Sequence, residues 1–238
     1  MGLNFDINFM FTAMQQAIKY SWVTMLLAVV PFVSGITLGT VIALIRIYNV
    51  RILGRLLQLY IVITKGTPVM LQILIIYFAV IQGFDLFAQG VNLSIRSKDI
   101  NLIYIAFAAL AFFGTANISE SIRGALAAVD CGQYEAAYSV GLTRQQALRR
   151  IILPQALPVA LPMLCSNLIG LVKASSLVFM ISVTDLMNAA LIPANTNYKY
   201  LEAYIAAAIV YWIINIVIEK ISFLLERRLD ARKREVLV

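Results

Sequence analysis

Long apolar runs separated by short polar segments make up most of this chain. A helix needs about 20 apolar residues to cross the hydrocarbon core of a bilayer, and five runs meet that length. They lie at about residues 20–45, 56–81, 100–122, 159–183 and 201–225. The pattern predicts an all-α membrane protein with about five transmembrane helices.

Arginine and lysine residues concentrate in alternate segments between these runs. The clusters are Arg46, Arg51 and Arg55; Arg144, Arg149 and Arg150; and Arg227, Arg228, Arg232, Lys233 and Arg234. Segments 82–99 and 184–200 are instead nearly balanced in charge and rich in small polar residues. Because basic loops stay in the cytoplasm, we predict that the N-terminus lies outside and the C-terminus inside.

Composition excludes several classes of function. With 61% hydrophobic and 13% charged residues, the chain has too little polar surface for a soluble globule. Its +7 net charge follows the loops rather than one amphipathic face, so we expect no nucleic-acid partner. The chain has no His, and Cys131 and Cys165 do not form a metal-binding pattern. We therefore expect neither a metal site nor a cofactor bound by this chain.

The N-terminal segment, residues 1–19, lacks the basic start of a cleaved signal peptide. Its spaced Phe and Met side chains favour an interfacial helix that lies on the membrane surface. No internal repeat or linker follows, so residues 1–238 are predicted to form one transmembrane domain.

A polar island at residues 133–154 interrupts the apolar pattern between the third and fourth runs. Residues 133–140 are good helix formers, and Gly141 can take the left-handed conformation that closes a helix. Thr143 and Gln146 have the spacing of a capping box that opens a second helix. We predict two short helices joined by a glycine corner.

The side chains of this island suit contact with another protein. Ala136 and Ala137 are small enough for close approach, and charged groups that a partner could pair flank them: Glu135, Arg144, Arg149 and Arg150. The alternative is a solvated helical hairpin that only joins two membrane spans.

The second apolar run is interrupted near its centre by Lys65-Gly66-Thr67-Pro68. Thr67 can cap a new half-helix with Pro68 at its first position, which would aim the amides of Val69 and Met70 at the break. Such helix ends attract anionic groups, for example a substrate carboxylate. Gln72 could add a polar contact one turn later. The alternative is a kink filled by neighbouring helices.

Two further polar groups fall inside predicted spans. Lys173-Ala174-Ser175-Ser176 interrupts the fourth run, and an intramembrane lysine normally faces a cavity or a partner. In the third run, Glu120 follows Asn117 by one turn and could receive a substrate ammonium. Alternatively, Glu120 pairs with Arg123 across one helical turn.

Several short sequence motifs follow one another along the chain in an order that is typical of one protein family. Glu-Ala-Ala at 135–137 is followed after three residues by Gly141 and, after nine more, by Ile-x-Leu-Pro at 151–154. The others are Lys65-Gly66-Thr67-Pro68 with Gln72, Arg123-Gly124, Leu153-Pro154-Gln155-Ala156-Leu157, Lys173 with Ser175-Ser176-Leu177, and Thr184-Asp185-Leu186. Together they resemble the polar amino-acid permeases of type I ABC importers, over almost the whole chain.

This resemblance implies a five-helix permease domain in a bacterial cell membrane, with residues 124–157 as a cytoplasmic coupling loop. It implies two ATP-binding subunits that carry ATP and Mg, a second permease subunit in a homo- or heterodimer, and an extracytoplasmic substrate-binding protein. Family members commonly have an acid where this chain has Ala174. That difference favours a neutral or zwitterionic amino acid, with cystine as one candidate.

Three classes of membrane protein could have a chain of this kind. The leading interpretation is a permease subunit that alternates access while a separate ATPase hydrolyses nucleotide, because this chain lacks a Gly-x-x-x-x-Gly-Lys-Ser/Thr loop. The alternative is a proton-coupled secondary transporter or channel, for which five spans without repeats are few. An intramembrane enzyme lacks a histidine base and a metal cluster.

Overall fold

The computed structural model describes residues 5–91 and 96–235, and these parts of the chain are almost entirely helical. The helices, in chain order, are α1 (Ile7–Ile47), α2 (Arg51–Gly66), α3 (Val69–Gly90), α4 (Leu102–Ala127), α5 (Cys131–Ser139), α6 (Arg144–Ala147), α7 (Leu153–Ser175), α8 (Leu186–Leu191), α9 (Ala194–Asn197) and α10 (Tyr200–Glu235). A 3₁₀ turn covers Ser97–Asp99, a π-helical turn joins α6 to α7, and a 3₁₀ segment, Ser176–Ile181, continues α7.

Within the part of the chain that the structure describes, five helical segments are long and apolar enough to cross a membrane. They are Ile7–Ile47, Val69–Gly90, Leu102–Ala127, Arg144–Ile181 and Tyr200–Leu229. The predicted all-α fold with five transmembrane helices is therefore confirmed.

Helix α1 differs from the expected division at its start. It runs without a break from Ile7 to Ile47, so residues 7–19 are continuous with the first span rather than a separate helix. The Asp6 carboxylate caps it by accepting from the Phe9 amide at 3.0 Å. Residues 1–4 lie outside the described part of the chain. A helix can extend past the bilayer when neighbouring helices cover it. The length of an apolar run does not reveal such an extension, so the run that starts at about residue 20 did not predict the true start of α1.

The centre of the fold is the contact between α1 and α4. A Cβ atom placed on Gly39 would lie 3.0 Å from the Ser119 nitrogen, and one on Gly35 would lie 2.6 Å from the Ile118 side chain. Both glycines are buried. The two backbones approach closely because these α1 positions carry no side chain, as in other small-residue helix crossings.

Different segments of the chain meet at the two ends of the bundle. At one end, Phe9 and Ala13 of α1 pack on Ala194 and Ala203, from α9 and the start of α10. At the other end, Leu44 packs with the segment that joins α4 to α7. The predicted cytoplasmic clusters around Arg46 and in the polar island therefore share one end of the bundle, as the predicted topology requires. Which end faces the cytoplasm stays a prediction from the charge pattern.

Candidate translocation path and coupling surface

The predicted second run, residues 56–81, is interrupted where the sequence predicts it, but the bounds of the span differ: the helix that can cross the membrane is Val69–Gly90, so the break lies directly before this span and not at its centre. Helix α2 ends at Gly66 and α3 starts at Val69, with Thr67 and Pro68 in extended conformations between them. The predicted cap is wrong in detail, because the Thr67 hydroxyl donates back to the Ile63 carbonyl at 2.8 Å and does not cap α3. Pro68 takes the capping position instead. Proline cannot donate a hydrogen bond, so it fits the junction where α2 ends.

Gln72 bridges the break from the α3 side. Its Nε2 donates to the carbonyls of Thr64 at 2.7 Å and Thr67 at 2.6 Å, which would otherwise lack partners at the end of α2. Among the described residues, the Gln72 Oε1 and the Thr64 Oγ1 are buried without a hydrogen-bond partner. The break thus combines unmet polar atoms with the positive end of α3, where the amides of Val69 and Met70 lack intrahelical acceptors.

The second interruption is also present. Helix α7 ends at Ser175 and the chain continues as the 3₁₀ segment Ser176–Ile181. The Ser175 and Ser176 hydroxyls donate to carbonyls three residues earlier, at 2.8 and 2.7 Å. Lys173 is exposed, whereas Ala174 is buried.

Helix α3, which follows the first interruption, contacts the 3₁₀ segment of the second. Val69 at the start of α3 and Leu177 in the 3₁₀ segment pack against the same apolar core cluster, which includes Ala174. The remaining candidates, Asn117 and Glu120, lie on α4. Asn117 donates to the Phe113 carbonyl at 3.0 Å, and no hydrogen bond within the described ranges joins Glu120 to either interruption.

Glu120 sits in an ion-pair network at the basic end of the bundle. One oxygen accepts from Arg46 of α1, and the other from Arg123 at 3.0 Å. The pairing with Arg123 that the sequence offered is confirmed, while Arg46 is a partner 74 residues away that local spacing does not reveal. With two guanidiniums on its carboxylate, Glu120 is better placed to hold α1 against α4 than to receive an ammonium.

A buried polar group that the site prediction did not include is Asp185. It is fully buried, and its carboxylate accepts from the Asn188 amide at 3.0 Å and from the Tyr211 hydroxyl at 2.9 Å. The neighbouring Leu186 amide donates to Thr24 of α1 at 3.1 Å. Asp185 thus ties the start of α8 to α10 beside α1. Its place in the motif at 184–186 was the only signal in the sequence.

Asp185→Ala should lower the free energy of unfolding by about 2 to 4 kcal/mol, because it removes a helix cap and leaves the buried Tyr211 hydroxyl without its acceptor. Asp185→Asn should be tolerated, because its carbonyl oxygen can accept from the Asn188 amide and its Nδ2 can donate to the Tyr211 hydroxyl oxygen. Thermal unfolding of the purified protein in detergent measures both variants. Equal melting temperatures for the Ala variant and the wild type would contradict this role.

The pH dependence of the same variants adds a check. Burial raises the pKa of Asp185 above its usual value. The folded state therefore binds a proton more tightly than the unfolded state, and this contribution to stability is lost as the pH rises through the raised pKa. Relative to Asp185→Asn, the wild type should lose stability as the pH rises from the usual pKa of an aspartate to the raised pKa of Asp185.

The polar island forms the two short helices and the glycine corner predicted for it. Gly141 has a φ of +80°, and Thr143 and Gln146 form a reciprocal capping box at the start of α6. The Thr143 amide donates to the Gln146 side chain at 2.9 Å. Glycine suits this position because most other residues rarely adopt this backbone conformation.

The island presents a mixed charged and apolar surface. Glu135, Ala136, Arg144 and Arg149 are exposed, and the Val140 side chain beside the corner is 73% exposed. Ala137 is instead buried, so only the first alanine of the pair is available to a partner. We call the exposed residues around Gly141, namely Glu135, Ala136, Tyr138, Val140, Arg144 and Arg149, the coupling surface.

The coupling surface rests on a small core of its own. Leu126, Val129, Ile152 and Ala156 form a buried cluster that Leu148 and other partly buried side chains cover. Helices α4 and α7 therefore hold the island from both sides. A force on this surface would be transmitted directly to two membrane helices.

Comparison with known proteins identifies the chain's family. Residues 35–231 match the model of the binding-protein-dependent transport system inner membrane component. The chain belongs to this family. It is a multi-pass protein of the bacterial inner membrane, and the ATPase of such ABC importers is a separate subunit. The matched region contains the coupling surface and the last four spans, and it includes the C-terminal part of the first span.

Relatives of the permease match over nearly their full length. The chain is 34% identical over 228 residues to the probable amino-acid ABC transporter permease protein PatM of Vibrio harveyi, covering 96% of this chain and 98% of PatM. It is 33% identical over 232 residues to the L-cystine transport system permease protein TcyL of Bacillus subtilis, covering 98% of this chain and 95% of TcyL.

Solved structures agree with the fold. A crystal structure of an amino acid ABC transporter with histidines superposes with a TM-score of 0.81 at 31% identity, over 96% of this chain and 100% of that one. The inward-facing MetNI methionine ABC transporter has a TM-score of 0.73 at 19% identity, over 91% of this chain and 97% of that one. The second likeness shows the fold alone.

Proposed function

We propose that this permease is the membrane subunit of an ATP-driven importer for amino acids and forms the translocation path by alternating access. The observation that carries the proposal is its 34% identity to an amino-acid ABC permease over 96% of the chain. The coupling surface supports ATP drive, since a rigid, exposed corner held by α4 and α7 is suited to receive a moving partner.

The proposed substrate is a neutral or zwitterionic amino acid, and cystine is one candidate. Ala174 lies beside the second interruption and offers no carboxylate for a cationic side chain. TcyL, an L-cystine permease, is 33% identical to this chain. The buried acceptor on Gln72 and the positive end of α3 could serve an ammonium and a carboxylate, the two groups that amino acids share.

The proposed path runs between the two interruptions. Thr67, Val69, Met70 and Gln72 would contribute from the first, and Lys173, Ala174, Ser175 and Ser176 from the second. Asn117 would line the path between them. Glu120, predicted for the ammonium, would act instead through its Arg46 and Arg123 pairs to hold α1 against α4.

The proposed partners follow from the same role. Two ATP-binding subunits would carry ATP and Mg and dock on the coupling surface at the cytoplasmic end. A second permease subunit, identical or different, would complete the path. An extracytoplasmic binding protein would deliver the substrate at the opposite end, where α8 and α9 lie.

The test is uptake of a labelled amino acid by bacterial cells that carry or lack this chain, with unlabelled amino acids as competitors. Neutral or zwitterionic competitors should block the uptake that depends on this chain, and arginine should not. Competition by arginine alone would contradict the proposed substrate class. Absence of any amino-acid uptake that depends on this chain would contradict the proposed function.

A further inference from the structure

A basic hollow lies at the corner between α1 and α2, outside the proposed path. Its volume is about 530 Å³, and its walls include Arg46, Arg51, Arg55 and Arg123, with Gly54 at its side. The corner is tight: Asn49 takes a φ of 52°, and the Val50 amide donates to the Ile45 carbonyl at 3.2 Å. This turn folds the start of α2 back beside the end of α1.

The hollow keeps a positive excess. Arg46 and Arg123 share one carboxylate, that of Glu120. Arg51 and Arg55 have no ion-pair partner in the described parts of the chain. They are one helical turn apart on α2, so both guanidiniums can reach one anion. The positive-inside rule accounts for arginines at this end of the bundle, but it does not require them to line a common hollow.

An apolar groove of about 500 Å³ lies between the same three helices, α1, α2 and α4. It follows α1 from Ile45 to Leu38, with Leu57 of α2 and Phe112 of α4 on its other walls. Seven residues of helix correspond to about 10 Å. Leu53 and Leu57 line the groove, while Gly54 and Gln58, the next residues, line the hollow, so α2 forms a wall of both.

We propose that the hollow and the groove together bind an anionic phospholipid. The phosphate lies between Arg51 and Arg55, and an acyl chain follows α1 along the groove. Neither part alone selects this ligand, because free phosphate does not use the groove and the ammonium of a zwitterionic headgroup would face a cluster of arginines. Basic pockets between membrane helices are known to receive anionic headgroups.

The test uses the purified full transporter complex in nanodiscs that contain equal amounts of phosphatidylglycerol and phosphatidylethanolamine. After extraction into detergent, native mass spectrometry measures the lipid that remains bound. The complex should retain phosphatidylglycerol in preference, and Arg51→Gln combined with Arg55→Gln should lower retention about tenfold or more. Arg227→Gln combined with Arg228→Gln removes the same charge from exposed positions on α10 and should leave retention unchanged.

A second variant tests the shape of the site without changing its charge. A Cβ atom on Gly54 meets only the Ile45 carbonyl, at 4.0 Å, so Gly54→Met should fold normally and fill the hollow. It should also lose phosphatidylglycerol. Equal retention of both lipids, unchanged retention in the Arg51 and Arg55 variant, or displacement by inorganic phosphate would overturn the proposal. An assembled complex in which another subunit covers the groove, and which therefore retains no lipid, would also overturn the proposal.

Discussion

Gly141→Pro and Glu135→Lys should each leave the permease in the membrane but separate transport from ATP hydrolysis. Proline fixes φ near −65°, whereas Gly141 has a φ of +80° and its amide donates to the Tyr138 carbonyl at 3.0 Å. Glu135 is exposed on the coupling surface, so a lysine there reverses the charge offered to the ATPase. Loss of a charge pair that docking of the ATPase buries costs about 2 to 5 kcal/mol, enough to lower coupled uptake more than tenfold.

The measurement is substrate uptake and ATP hydrolysis by complexes assembled to normal level. Gly141→Asn is the matched control for the corner, because asparagine tolerates the left-handed conformation. Glu135→Asp keeps the charge and controls for the second variant. If either damaging variant transports at the wild-type rate once assembled, the island only joins two spans, and ATP drive enters elsewhere.

Gly39→Leu should destabilise the bundle strongly. A side chain at Gly39 would meet the α4 backbone, with the Ser119 nitrogen at 3.0 Å and the Ser119 Cα at 3.3 Å. Backbone at the central helix contact cannot move as a flexible side chain does. Overpacking of this kind costs about 1 to 3 kcal/mol or more.

The control is Gly83→Leu on α3, where an added Cβ meets nothing within 4 Å. Yield of monodisperse protein and its thermal midpoint in detergent compare the two variants. Gly39→Leu should lower both, and Gly83→Leu should change neither greatly. Equal behaviour of the two variants would show that the α1–α4 contact tolerates separation.

Sequence reasoning succeeded where a feature depends on local chemistry. Five membrane helices follow from the length of apolar runs, and the Gly141 corner and the Thr143 capping box follow from turn and cap preferences. The break beside Pro68 was predictable because proline cannot continue α2. Each of these features depends on residues that are close together in the sequence.

Features that depend on tertiary packing could not be predicted in this way. Arg46 meets Glu120 across 74 positions, and Asp185 meets Tyr211 only because α8 packs on α10. The role of the Thr67 hydroxyl was mispredicted, because its oxygen was expected to accept from an amide of α3, whereas the hydroxyl donates to the Ile63 carbonyl of α2. The exposure of Ala136 against the burial of Ala137 likewise depends on how the island packs on α4 and α7.

The most direct test of ATP-driven import is uptake by proteoliposomes that contain this permease, its ATPase partner and any second permease subunit, with binding protein and labelled substrate outside. Uptake should require ATP and Mg on the side of the coupling surface, and it should continue when an ionophore removes any proton gradient. Uptake without ATP that follows an imposed proton gradient would contradict the account and favour a proton-coupled transporter.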